Sequence, residues 1–489
     1  VRLPVELKQY FYSHKLMNLN KKMTVHHPPA LNQPSAYYVL MLAIVAALGG
    51  FLFGFDTAVI NGAVGALGKE FQANSSQIGL AVSSALLGSA VGAFFAGQIA
   101  DRYGRIKVMI SAAGLFLMSA VGSGIAFTIW DFMVWRLVGG LAVGAASVIA
   151  PAYIAEVSPA HLRGRLGSLQ QLAIVIGIFA ALLCDYFIAL GAGSAEAPFW
   201  FNIPAWRWMF WTEIPPAILY GIGALKIPES PRYLVAQGRE AEAEVILARV
   251  VGGDTQAKVM EIRASVVRET KPRLSDLMGR HGLLPVVWIG TGLSVLQQLV
   301  GINVIFYYSS VLWQAVGFSE QDSLWITVIT SVTNIITTLV AIAVVDKFGR
   351  KPLLILGSIG MTITLGTLAT VFGSAPLDAA GNPNLTGNAG LIALFAANIY
   401  VFCFGFSWGP VVWVMLGEMF NNRIRGAALS VAATAQWIAN FVVSTTFPPL
   451  KDVGLGFAYG LYATAAAISL FFVLLLIKET RGKELEEMA

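Results

Sequence analysis

Two charged residues of opposite sign fall inside long apolar runs, Asp56 in GGFLFGFDTAVI and Arg136 in VWRLVGG. At the centre of a bilayer each costs roughly 2.5 to 3.5 kcal/mol on insertion scales, so such residues pair or line a polar pathway. Pairing Asp56 with Arg136 offsets much of both costs. A carboxyl that holds an arginine when ionised and releases it when protonated has the chemistry needed to couple a proton to a conformational change.

A second group of residues carries no charge. Gln171, Gln297, Gln298, Asn303, Asn334, Gln436 and Asn440 also lie in apolar stretches. A carboxamide both donates and accepts hydrogen bonds, as an uncharged, hydroxyl-rich ligand requires. Positions 298 and 303 are five apart, too far for one helical stripe, but Gly301 between them can unwind the helix and bring them together.

These residues need a membrane scaffold to position them. The chain has 489 residues, 56% hydrophobic and 12% charged, where soluble domains carry about a quarter charged residues. A spanning helix takes about 20 mainly apolar residues, and twelve such stretches can be read. They predict an all-α membrane protein of twelve transmembrane helices in two six-helix bundles. The organisation is a tail over 1–37, a first bundle over 38–226, a linker over 227–282, a second bundle over 283–477 and a tail over 478–489. The linker stretch REAEAEVILARV has the composition of a short helix.

With both termini placed in the cytoplasm, the inside segments hold 28 of the 32 lysines and arginines, all except Lys69, Arg136, Arg207 and Lys451. That asymmetry satisfies the positive-inside rule and argues against a nucleic-acid partner despite the net charge of +5. The first segment lacks the pattern of a cleaved signal and reads as a disordered cytoplasmic tail, with His26 and His27 as solvated residues rather than metal ligands. Cys184 and Cys403 form no CxxC or Cys/His cluster, and neither a metal nor a cofactor is expected.

The halves repeat one another. ADRYGRIK follows the second span and VDKFGRK the eighth; AEVSPAHLRGR follows the fourth and GEMFNNRIRG the tenth. Asp101 and Arg105, like Asp346 and Arg350, stand about one helical turn apart at a cytoplasmic helix end, where arginine can bond a carboxylate bidentately. Glu156 with Arg163, and Glu418 with Arg425, could bridge to them. The expectation is a latch, intact while the cytoplasmic side is closed and broken when it opens.

Taken in order, the repeated loops, PESPRYL at 228–234, QQLVGINVIFYYS at 297–309, GPVVW at 409–413 and KETRGKELEE at 478–487 resemble the signature set of the sugar porter branch of the major facilitator superfamily. The resemblance covers residues 38–487. It implies a monosaccharide substrate, hexose or pentose, moved with a proton by alternating access through one chain acting as a monomer. Gln171, Gln297, Gln298, Asn303, Asn334, Trp413 and Gln436 match the family's sugar contacts, with Phe53 and Trp437 as apolar walls. Tyr307 and Tyr308 resemble the tyrosine pair that helps close the outer mouth. Asp56 and Arg136 match the proton-linked members, with Glu213 as a third membrane carboxylate, whereas the facilitative glucose transporters carry an amide in place of Asp56. A facilitative uniporter is the nearest rival. A sugar sensor would be expected to carry a long cytoplasmic extension, and neither HExxH nor a Walker motif supports an enzyme or a pump.

Overall fold

Apolar helices with their ends pinned by local hydrogen bonds make up nearly all of the computed structural model. It describes residues 36–159, 162–268, 274–279, 282–377, 383–385, 387–420 and 424–480. The tandem histidines and most of both tails lie outside the described residues.

Among the described residues, eleven helices are long and apolar enough to cross a membrane. Span one is Ala36–Ala58 continued by Ile60–Glu70, span two Ser75–Tyr103, span three Arg105–Ile125, span four Ile129–Val157 and span five Arg163–Ala192. In the second half, span seven is Pro285–Leu299 continued by Ile302–Ala315, span eight Glu320–Phe348 and span nine Arg350–Ser374. Span ten is Ala389–Phe406 continued by Trp408–Met419, span eleven Arg425–Val453 and span twelve Leu455–Leu476. The sixth span of the sequence reading is not one helix. Ala205–Trp211 and Ile214–Lys226, seven and thirteen residues, meet at Thr212 and Glu213. Pro215 and Pro216 start the second piece, and Glu213 stands at its N-cap with no capping bond, leaving its side chain for other work.

The ends are set by the sequence beside them. Asn74 and Gln77 form a reciprocal capping box on span two, and Thr128 and Ser319 accept from Asp131 and Asp322 amides at the starts of spans four and eight. Gly104 and Gly349, at φ +100° and +87°, make the same tight turn between spans two and three and between eight and nine. Three short helices, Pro231–Ala236, Glu240–Val250 and Thr255–Arg268, follow the first bundle. The bundle end that carries them is called the linker face below, and the opposite end the distal face.

The outer surface is apolar, with Phe94, Phe127 and Leu475 54, 83 and 79% exposed. Such a surface suits lipid and would aggregate in water. Many hydroxyls inside the spans donate to their own helix: Thr327 and Thr330 donate to the Ser323 and Ile326 carbonyls at 2.8 and 2.9 Å. Between the halves, span two lies along span eleven and span five along span eight, and the outer parts of spans one and seven touch.

The break in span seven occurs at Gly301, whose φ is +81°. Leaving the helix frees the Val300 carbonyl, which accepts from the Tyr400 hydroxyl at 2.7 Å. A side chain at 301 would cost roughly 1–2 kcal/mol from handedness alone, and its Cβ would press on the Tyr462 ring. Gly301→Ala should therefore lower the unfolding temperature in detergent, and an unchanged temperature would remove the constraint assigned to this turn.

Candidate functional site

Asp56 and Arg136 are buried to 0 and 1% exposure and meet directly. Nη1 of Arg136 donates to Asp56 Oδ1 at 2.9 Å, and Nη2 donates to the Asp56 backbone carbonyl at 2.8 Å. That carbonyl would accept from Ile60 N–H in a continuous helix, so the guanidinium takes over a backbone bond where span one breaks. A Cβ at Gly139, one turn beyond Arg136, would crowd Ser119 and stand 2.9 Å from Asp56 Oδ1, so glycine is what lets span four approach the carboxyl. The guanidinium also faces the Phe210 ring at 5.8 Å.

Glu213 completes the cluster from the break in span six. It is fully buried and interacts with Asp56, yet neither of its oxygens receives a hydrogen bond from the described residues. Oδ2 of Asp56 is likewise without a donor. Two carboxyls and one guanidinium sum to zero charge only when one carboxyl holds a proton. That is the chemistry this cluster can do.

A cavity of about 990 Å³ lies between the halves. Gln171, Gln297, Gln298, Asn303, Asn334, Trp413, Gln436, Phe53 and Trp437 all stand on its wall, together with Asn440 and Tyr307. Several amides are already linked. Gln436 Nε2 donates to Gln297 Oε1 at 2.6 Å, and Gln297 Nε2 donates to the Trp408 and Gly409 carbonyls just past the break in span ten, at 2.7 and 3.1 Å. Asn303 Nδ2 donates to Gln298 Oε1 at 2.7 Å across the Gly301 turn. Each amide is thus oriented while keeping spare donors or acceptors for a ligand. Phe53 and Trp437, from opposite halves, put their rings 5.8 Å apart at the cavity wall.

Toward the linker face the cavity wall reaches Arg165, Ser168, Val345 and Arg350. Toward the distal face it is closed. Asn61 Nδ2 donates to the Phe306 carbonyl at 2.9 Å, and Asn61 Oδ1 accepts from Ser310 N–H at 3.2 Å. Thr445 donates to Ser83 at 2.6 Å, Ala195 N–H to Glu320 at 2.8 Å, and Ser75 bonds Asp452. The Ser310 hydroxyl also donates to the Asn61 carbonyl, and these bonds between the halves all lie at the distal face.

The expected latch takes another form. Arg105 makes a bidentate pair with Glu156 at 3.0 and 2.9 Å and reaches Asp101 at 3.3 Å, all within the first half. Arg350 pairs with Glu418 at 3.1 and 2.8 Å within the second. Both pairs are formed while the cavity is open on their side, so they brace neighbouring helices within a half and need not break on opening. Arg425 turns to the Phe420 carbonyl at 3.3 Å. The side chains of Arg163 and Asp346 lie outside the described residues. Tyr308 does not face the cavity; its hydroxyl donates to the Ser444 carbonyl at 2.7 Å within its own half.

Sequence reasoning missed Asn61, although an asparagine in VINGAVG is a polar residue at membrane depth. It also missed the matched roles of Glu229 and Glu479. Glu229, in PESPR, accepts from Arg105 and Ile106 amides at 2.9 and 3.2 Å; Glu479, in KETR, accepts from Arg350 and Lys351 amides at 3.0 and 2.9 Å. Each carboxylate caps the positive end of a span.

Known proteins share this architecture. Residues 42–489 match the family described as "Sugar (and other) transporter". The glucose transport protein of Synechocystis sp. PCC 6803 is 69% identical over 94% of this chain and 99% of its own length. The D-xylose-proton symporter of Escherichia coli K12 is 40% identical over 93% of this chain and 96% of its own length. The solved inward-open xylose transporter of E. coli superposes with a TM-score of 0.78 at 38% identity, covering 92% of this chain and 99% of that one.

The amide network generates a direct prediction. Gln298→Ala removes the partner of Asn303 and one cavity amide, and should weaken monosaccharide binding by about 1–3 kcal/mol. Calorimetry on folded protein checks it; unchanged affinity would take Gln298 out of the site.

Proposed function

This chain belongs to the sugar transporter family of the major facilitator superfamily, and on that premise we propose that it imports a monosaccharide together with a proton by alternating access. The observation that carries the proton is the buried Asp56–Arg136 pair, with Glu213 beside it. The 69% identical relative is a glucose transport protein and the 40% identical one a D-xylose-proton symporter, which supports a hexose or pentose substrate.

The linker face is the cytoplasmic one, because the basic residues concentrate there. The structure is then the inward-facing member of the cycle, in a bacterial plasma membrane, with one chain supplying the whole cavity. From the outward-facing arrangement, sugar contacts Phe53 and the amides while Asp56 takes up a proton. A neutral Asp56 no longer holds Arg136 by charge, so the part of span one that carries it can move with the gate at Asn61. Both ligands bias the same equilibrium. An inward proton gains about 2.3 kcal/mol per 100 mV, enough to sustain a sugar gradient of roughly 50-fold.

Asp56→Asn keeps the size of the side chain and loses its charge. Sugar-for-sugar exchange in proteoliposomes should persist on equal amounts of folded protein, while accumulation driven by a proton gradient disappears. A variant that still concentrates sugar would move coupling elsewhere. If the unmodified protein carries labelled glucose and xylose but never concentrates either, it is a facilitative uniporter.

A further inference from the structure

Span five holds another carboxylate, Asp185, which the coupling cluster does not use. Its side chain is fully buried. Oδ2 accepts from Gly62 N–H at 3.1 Å, while Oδ1 has no hydrogen-bond partner among the described residues. The approach is tight: a Cβ at Gly62 would stand 2.7 Å from the Asp185 side chain. Gly62 lies just past the break in span one and directly follows Asn61, the residue that joins span one to span seven at the distal face.

Among the described residues no counter-charge reaches Asp185. Spans one, four and eight and the first helix of span six pack against span five, and the charged groups described on them near Asp185 are engaged elsewhere. Asp56 and Arg136 hold each other, with Glu213 beside them. Lys69 pairs with Glu196, and Glu70 with Arg207. Asp131 bonds the Phe127 amide, Glu320 the Ala195 amide and Asp322 the Ser319 hydroxyl. Lys347 is exposed at the linker end of span eight. Of its helix neighbours, Cys184 interacts with Thr212 and Tyr186 packs on Trp325. An ionised carboxylate left buried without a cation, and with one bare oxygen, is more costly than the same group as a neutral acid with one unpaired hydroxyl.

We propose that Asp185 is a second proton-binding site, belonging to the distal gate: a proton from the distal side seats on Oδ1 as the gate closes and returns to that side as it opens. Opening requires Asn61, the neighbour of the Gly62 that bonds this carboxyl, to leave span seven, and span five to part from span eight. Water then reaches it and it ionises. The closed gate binds the additional proton, so acid on the distal side favours closure and alkali favours opening. Because this proton enters and leaves on one side, it adds nothing to the number carried with each sugar. The site stands apart from sugar identity and from coupling at Asp56.

The experiment uses the Asp56→Asn protein, in which the coupling carboxyl is silent. Cys184 and Cys403 are replaced by alanine, and spin labels are placed through Gln72→Cys and Val453→Cys, on distal ends of opposite halves. The interlabel distance should shorten as the pH falls from mildly alkaline to mildly acidic, and adding Asp185→Asn, which keeps an acceptor toward Gly62, should abolish the shift. If the Asn variant misfolds, Asp185→Ser serves in its place. Retention of the full shift in a folded Asp185 variant overturns the proposal, as does a distance that ignores pH in the Asp56→Asn protein.

Discussion

The buried pair of Asp56 and Arg136 is the interaction on which the rest of the molecule depends. It neutralises the two charges that span one and span four bring into the bilayer, and it fixes where span one stops being a helix, because Arg136 also occupies the Asp56 carbonyl. Within ten residues of that point, span one places Phe53 on the cavity wall and Asn61 in the distal gate. One helix segment therefore touches the proposed sugar site, the proposed proton site and the distal gate. Coupling needs no long pathway when the three functions share a single mechanical element.

A bilayer gives backbone groups no water, so each helix break must supply substitutes for the bonds it gives up. In span one the substitute is Arg136, in span seven the Tyr400 hydroxyl and in span ten the Ser407 hydroxyl, which donates to the Cys403 carbonyl. Gln297, an amide of the cavity wall, bonds the Trp408 and Gly409 carbonyls just past that break, so contacts made by Gln297 bear on the hinge in span ten. At the linker face the two halves solve the same problem twice. Glu229 and Glu479 cap spans three and nine, and Arg105 and Arg350 tie each cap to a neighbouring span.

Much of this was legible in the sequence because the membrane restricts what a chain can do. Helix length, the repeated loops and the amides at membrane depth all follow from hydrocarbon thickness and the cost of polar groups inside it. The turn at Gly301 followed from the spacing of Gln298 and Asn303. What sequence could not give was direction around a helix: Tyr308 is adjacent to Tyr307, yet it points into its own half. The bridges from Arg105 to Glu156 and from Arg350 to Glu418 were legible in the repeated loops, but not that they are formed while the cavity reaches their side. Span six escaped as a broken helix because its hydropathy continues through Thr212 and Glu213. Asn61 and Asp185 were open to the same reasoning that found Asp56, since each is a polar residue in an apolar run.

The central claim is that sugar movement through this cavity obliges a proton to move with it. The most direct measurement places the unmodified protein in liposomes that hold a pH-sensitive dye, then adds sugar outside with no proton gradient imposed. The account predicts that the lumen acidifies as sugar enters, in proportion to the sugar taken up. Sugar entry with an unchanged internal pH would contradict it.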